Sequence, residues 1–177
     1  MKKYELLVDD TITFFGVQLF RIKALISFSG IKKGEIGGYI ASEKNLSQSG
    51  NARVSGNAKV YGNAEVYGNA EVYGNAEVYG DARVSGDARV SGNAWVYGNA
   101  EVSGDADYIV FKKTWSSGRY FTYTKSNKKW KVGCFYGSSD ELVEKAYKDS
   151  KKSGDFYKAY VEFVEKLEAI ENIHKEQ

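Results

Sequence analysis

"GNAEVYGNAEVYGNAEVYGDARVSG", residues 62–86, writes one six-residue phrase four times over. The phrase extends in both directions. Valine stands at 54, 60, 66, 72, 78, 84, 90, 96 and 102, alanine two positions before each, and Gly-Asn or Gly-Asp before each alanine. This period does not fit a helix of 3.6 residues per turn: the valines would spiral around it, and each glycine would cost about 1 kcal/mol. In an extended chain alternate residues share a face. Ala-x-Val therefore points both apolar residues inward, with the residue between them and the Tyr or Ser after them pointing outward. Gly-Asn and Gly-Asp tolerate the positive φ that a sharp corner needs.

A strand and a corner in six residues are too short to fold back as a hairpin. They suit one side of a coil, and three sides close a triangular prism with 18 residues per turn. Residues 48–107 hold a little over three such coils, which at a spacing of about 4.8 Å make a rod of roughly 15 Å. Each valine then stacks on one 18 residues away, in columns Val54/Val72/Val90, Val60/Val78/Val96 and Val66/Val84/Val102. The outward slot reads Arg53/Glu71/Arg89/Asp107 on one side and Glu65/Arg83/Glu101 on another. Opposite charges alternate there, as in cross-strand pairs worth a few tenths of a kcal/mol each. The third side reads Lys59/Glu77 and then meets Trp95.

Read from valine, V-Y-G-N-A-E resembles the hexapeptide-repeat pattern of left-handed parallel β-helix proteins, with an aliphatic residue first and a small residue fifth. The spelling GNAxVYGNA, preceded by IKKGEIGGYIASEKNLSQSGNA (31–52), is similar to phage and prophage proteins often labelled polymer-forming, over about residues 15–107. The left hand of the helix is implied by this resemblance alone. Segment 115–137, WSSGRYFTYTKSNKKWKVGCFYG, is similar to a piece appended to some of these proteins, and no activity attaches to it.

A rod needs caps at both ends. Residues 1–47 predict an N-terminal β cap and a first irregular coil: YELLV, TITFFG and VQLFRIKAL alternate apolar and polar residues around Asp9-Asp10 and Gly16. After Asp107 the period breaks, and residues 108–177 predict a C-terminal α+β domain of three strands and two helices. YIVFKKTW, GRYFTYTK and KWKVGCFYG are the strands, joined by Ser116-Ser117-Gly118 and Ser126-Asn127-Lys128 turns. Ser138 and Glu141 form a capping box for a helix to about Lys152. Ser153-Gly154-Asp155 is expected to break the chain before a second helix, 156–173, with Phe156, Tyr160, Phe163, Val164, Leu167 and Ile170 on one face. The fold class is mainly β.

Many left-handed β-helices are acyltransferases that use a coil histidine as general base. Here the single histidine, His174, lies outside the coils and is expected to be a solvated helix-end residue. There is no G-x-x-x-x-G-K-[ST], no Cys/His metal cluster and no G-x-S-x-G. The expectation is a non-enzymatic protein with no catalytic residues, cofactor or metal. Interchangeable hexads also argue for scaffold, since a catalytic site needs unlike residues at particular places. No apolar run is long enough for a membrane helix and the start lacks a signal-peptide core. With one cysteine, Cys134, no internal disulfide can form, so the expected compartment is the cytoplasm of a bacterial host. Cys134, on an apolar strand, is expected to be a buried structural thiol.

Two departures from monotony are candidate binding surfaces. Stacking by 18 aligns Tyr61, Tyr79 and Tyr97 beside Trp95. This amphipathic stripe is expected to join copies of the chain in a dimer or trimer; the alternative is that the terminal helices fold back over it. The second is segment 108–137, with seven basic residues and no acidic one. Arg119, Lys128, Lys129 and Lys131 beside Trp115 and Trp130 would suit a phosphate with a stacked base, or an acidic protein surface. The bland reading is a sheet with an aromatic core face and a solvated lysine face. The function expected is a β-helix scaffold presenting a surface to a host protein or complex, for example an inhibitor of a host defence system such as CRISPR. Alternatives are a nucleic-acid or nucleotide binder, a degenerate acyltransferase and a structural or assembly component.

Overall fold

A computed structural model describes residues 1–113, 115 and 117–175. The chain opens with β1 (Tyr4–Phe14), β2 (Val17–Ala24) and β3 (Ile36–Ile40). Two-residue strands then recur with the period of the sequence: Arg53–Val54 (β4), Lys59–Val60 (β5), Glu65–Val66 (β6), Glu71–Val72 (β7), Glu77–Val78 (β8), Arg83–Val84 (β9), Arg89–Val90 (β10), Trp95–Val96 (β11) and Glu101–Val102 (β12). They pair in parallel, three coils deep, as β4-β7-β10 and β6-β9-β12. The third side, β3-β5-β8-β11, continues antiparallel through β2 and β1 into a six-stranded sheet. Arg53 registers with Glu71 and Glu71 with Arg89, so the coil is 18 residues. The chain is a β-solenoid.

From Ala52 to Val102 every inward alanine and valine is at most 2% exposed. The columns begin earlier than the regular spelling does, because Ile40 pairs with Val60 and Leu46 with Val66. At the corners Gly50 takes φ 68°, and a Cβ there would lie 2.8 Å from the carbonyl oxygen of Gly68. Glycine thus answers both the backbone conformation and the close stacking of coils. The Asn/Asp slot adds ladders the sequence did not announce. Asn51 Nδ2 donates to Asn69 Oδ1 (3.0 Å), and Asn69 Nδ2 in turn to Asp87 Oδ1 (3.0 Å).

Free edges at the two ends of the rod are closed by side chains, as unpaired backbone groups require. At the base, Lys3 Nζ donates to the Ala52 carbonyl (2.7 Å) and Asn45 Nδ2 to those of Ala64 (2.9 Å) and Gly62 (3.0 Å). Burial pulls the Lys3 ammonium down to a pKa of about 8. At the top, the Trp95 N–H donates to Thr122 Oγ1 (2.9 Å), the Glu101 N–H to Ser126 Oγ (2.8 Å) and the Arg89 N–H to Asp105 Oδ1 (2.8 Å).

Thr122 and Ser126 belong to the C-terminal unit. Its sheet runs β13 (Tyr108–Lys112), β14 (Tyr120–Thr124), β15 (Lys129–Val132) and β16 (Phe135–Gly137), antiparallel and in that order. KWKVGCFYG is therefore two strands, not the one expected, because Gly133 at φ 55° reverses the chain. The Ser116-Ser117-Gly118 turn falls partly outside the described residues. Helix α1 (Ser139–Asp149) starts at the expected capping box, with Ser138 Oγ accepting the Glu141 N–H and Glu141 Oε2 accepting the Ser138 N–H. The helix break is at extended Ser150, and α2 (Lys151–Lys175) runs through Ser153-Gly154-Asp155. Gly154 is a seat rather than a breaker: a Cβ there would meet the Tyr147 ring at 2.1 Å. The sheet is sandwiched. Phe121, Tyr123, Trp130 and Val132 pack on the helices through Leu142, Tyr157, Val161 and Val164, while Thr122, Lys131 and Tyr136 face the rod.

Candidate functional site

The three sides of the rod are not equivalent. The side carrying β5, β8 and β11 is overhung at one end by the β1–β2 hairpin and at the other by the C-terminal sheet. Tyr61, Tyr79 and Tyr97 stack there as predicted, with ring centroids 4.8 and 4.3 Å apart. Phe14 closes the column at Tyr61 (5.9 Å, edge-on) and Tyr136 at Tyr97 (4.6 Å, edge-on). Burial pushes the Tyr61 and Tyr79 phenols up. Tyr61 is 8% exposed and packs against Leu19 and Tyr39, so it is not available to another copy. Both ends of this column are covered by the chain itself, by the β1–β2 hairpin and by β16 rather than by the terminal helices, while Tyr79, Trp95 and Tyr97 are half-buried.

The basic segment is dispersed rather than gathered. Lys113 is buried beside Trp115 and Tyr157, and Lys125 Nζ donates to Glu171 (2.5 Å). Lys131 lies 5.4 Å from both the Trp95 and Tyr97 rings and donates to the Gly133 carbonyl (2.6 Å). Trp130 is fully buried with Nε1 donating to Ser139 Oγ (3.1 Å), so the expectation that it stacks on a ligand is corrected. Trp115 stacks on Phe156 (4.1 Å, 9°). Lys128 is exposed in the β14–β15 turn and Lys129 sits 4.0 Å from Glu141. Arg119 flanks the opposite end of β14, beside Gly133. Lys128 and Arg119 therefore do not form one patch, and the lysine face is turned to the rod as much as to solvent.

What the fold does bring together is Trp95 and Arg119. They line a cleft of about 460 Å³ whose wall on the rod is Lys59, Asn75, Glu77 and Asn93 and whose wall on the sheet is Tyr120 and Gly133. Glu77 is 7% exposed, not the solvated outward charge its slot predicts, because this is the side both caps cover. Among the described residues no side chain hydrogen-bonds to its carboxylate and no cation lies within 4.0 Å, and its oxygens reach the solvent of the cleft. Burial raises its pKa, opposed by Lys59 and Lys131. By contrast the partly buried Glu71 pairs with Arg53 at 2.7 Å. The sequence signal for the cleft was Trp95, 18 residues above Glu77, where a charge was due.

A second surface lies on α2. Its core face is Tyr157, Val161 and Val164. Phe156, Phe163, Ile170 and Ile173 stand off that face and are 40–58% exposed. The expected single face joins Phe156, Phe163 and Ile170 with Val164, and the structure separates them. Each residue turns the helix about 100°, and close packing of α1 on Gly154 selects the face that contains Tyr157. Cys134 is exposed, not buried, because it sits in the β15–β16 turn. His174 is exposed in the last turn of α2. Among the described residues no group of three or more His, Cys, Asp or Glu side chains is placed to hold a metal ion, and no helix is long and apolar enough to cross a membrane.

Residues 76–92 and, overlapping them, 82–98 match a family model described as the YdcK beta solenoid repeat. No curated protein matches the sequence. The match spans β8 to β11, in the second and last of the three stacked coils. Stacked parallel coils and the repeat model agree that this chain is a β-solenoid repeat protein.

Proposed function

We propose that this chain is a non-enzymatic binding protein of phage type, in which the solenoid is a rigid scaffold and the C-terminal unit docks a protein of the bacterial host. The observation that supports it is the outer face of α2. Phe156, Phe163, Ile170 and Ile173 recur at intervals of seven and three residues; the two phenylalanines rest partly on Trp115 and Phe111 of the chain itself, and the two isoleucines are free among the described residues. Large apolar side chains in line on a helix suit recognition by a groove. The coils carry no histidine, which supports a scaffold over an acyltransferase. The likeness of the spelling to phage proteins supports a host partner, of which a defence-system protein is the form proposed.

Affinity capture from the host with wild-type and Phe163→Asp/Ile170→Asp baits tests this. The expected result is a protein recovered with the first, lost with the second, and re-forming a stoichiometric complex from purified parts. Equal recovery by both baits overturns the role of α2. A wild type that sediments as a dimer, and becomes monomeric in the double variant, replaces the host-partner reading with self-association.

A further inference from the structure

Leaving a carboxylate buried without a partner is costly, because removal from water is compensated only by pairing or hydrogen bonds. Glu77 escapes that position only through the cleft: the residue is 7% exposed, its carboxylate reaches a cleft open to solvent, and among the described residues no side chain hydrogen-bonds to it. Glutamate alone is not diagnostic, since the repeat supplies it at 65, 71, 77 and 101. The residues around it are. Trp95 breaks the charged column directly above, and Arg119 arrives from the C-terminal unit. Asn75 and Asn93 flank this column at the corners, each offering an amide donor and an acceptor. Lys59 stands on the other side of Glu77 in the same column, its ammonium 3.3 Å from the Asn57 carbonyl.

We propose that this cleft binds a small anionic sugar. A pyranose has one apolar C–H face, which suits the half-buried Trp95 indole, and hydroxyl donors, which suit a carboxylate that only accepts. The two asparagines complete hydroxyl contacts. The net charge of the wall, Lys59 and Arg119 against Glu77, selects a ligand with an acidic group, and Arg119 offers the planar fork that carboxylates and phosphates both fit. A cleft of about 460 Å³ is within the usual size of small-molecule sites. Glu77 then accepts in the complex hydrogen bonds that no side chain among the described residues donates to it.

The test is a fluorescence titration of the full chain, in low salt at pH 7, with glucuronate, glucose 6-phosphate and neutral glucose. Trp130 and Trp115 are held in the C-terminal core, so the signal is expected to vanish in Trp95→Phe. At least one acidic sugar should bind about tenfold more tightly than glucose, and Glu77→Ala and Arg119→Ala should each weaken it by about tenfold or more while melting cooperatively. Whichever of the two acids binds better identifies the anion as carboxylate or phosphate. No saturable signal with any of the three up to about 50 mM, or equal binding by wild type and both alanine variants, overturns the proposal.

Discussion

Residues 63–68, 69–74 and 75–80 are the same hexad, Asn-Ala-Glu-Val-Tyr-Gly, in three consecutive copies. Their inner residues meet one fate: Ala64, Ala70 and Ala76, and Val66, Val72 and Val78, are at most 1% exposed. Their outer residues meet three. Glu65 is exposed, Glu71 lies between Arg53 and Arg89, and Glu77 is buried. Tyr67 and Tyr73 are 41% and 39% exposed, whereas Tyr79 is stacked between Tyr61 and Tyr97. Nothing within the hexad distinguishes these copies. The difference comes from the residues 18 positions away and from the two caps that overhang one side alone. Interchangeability therefore holds inside the rod and fails outside it, so a monotonous repeat can still contribute to a particular site.

The largest effect should fall on the shared interior. Val66→Asp, Val72→Asp and Val78→Asp each place an unpaired charge in a column that excludes water, and each should abolish cooperative unfolding in a circular-dichroism melt. Equal loss at all three is the point. If one side tolerates the change, the three interiors are not equivalent and the comparison fails at its root.

The next effect separates the outsides. Tyr79→Ser removes a ring held between two others and should cost about 2–3 kcal/mol in urea unfolding. Tyr67→Ser, the same change in the same hexad on an open side, should cost less than about 0.5 kcal/mol. Equal costs would mean that the stack in the Tyr61/Tyr79/Tyr97 column contributes no more than an exposed ring.

These contrasts also mark what was legible in the sequence. Period six with Ala-x-Val specifies the inside completely, because the same physical demand recurs at each coil. The Tyr61/Tyr79/Tyr97 column follows from 18-residue spacing, and the Ser138–Glu141 box marks the start of α1. What covers a side is set by non-periodic segments, and there single residues mislead. Gly154 looked like a break and is the contact point of Tyr147. Trp130 looked like a stacking platform and is core. Lys3, whose ammonium closes the base of the rod, carried no local signal, since its carbonyl partners lie some 46–49 residues away. The cleft drew one residue from the repeat's irregularity, Trp95, and one from the basic segment, Arg119, but not their meeting.

The smallest effect is the most discriminating. Burial raises the folded-state pKa of Glu77 above the ordinary value of 4.5, with Lys59 and Lys131 pulling the other way. For an acid shifted upward, the folded chain holds a proton over a pH range in which the unfolded chain has released it. Stability therefore falls as pH rises from about 4.5 through the raised value, and the penalty is complete above it. Glu77→Gln keeps the shape and cannot ionise. It should melt with the wild type at pH about 3.5, where both side chains are neutral, and above the wild type at pH 7. Glu65→Gln, in the exposed copy, should track the wild type at both. A Glu77→Gln variant that melts below the wild type at pH 7 would mean that attraction to Lys59 and Lys131 outweighs burial, and Glu77 would then be one more structural ion pair. A variant that is more stable yet binds acidic sugar less would show instead that stability is given up at this hexad for recognition, which its two identical neighbours have no occasion to do.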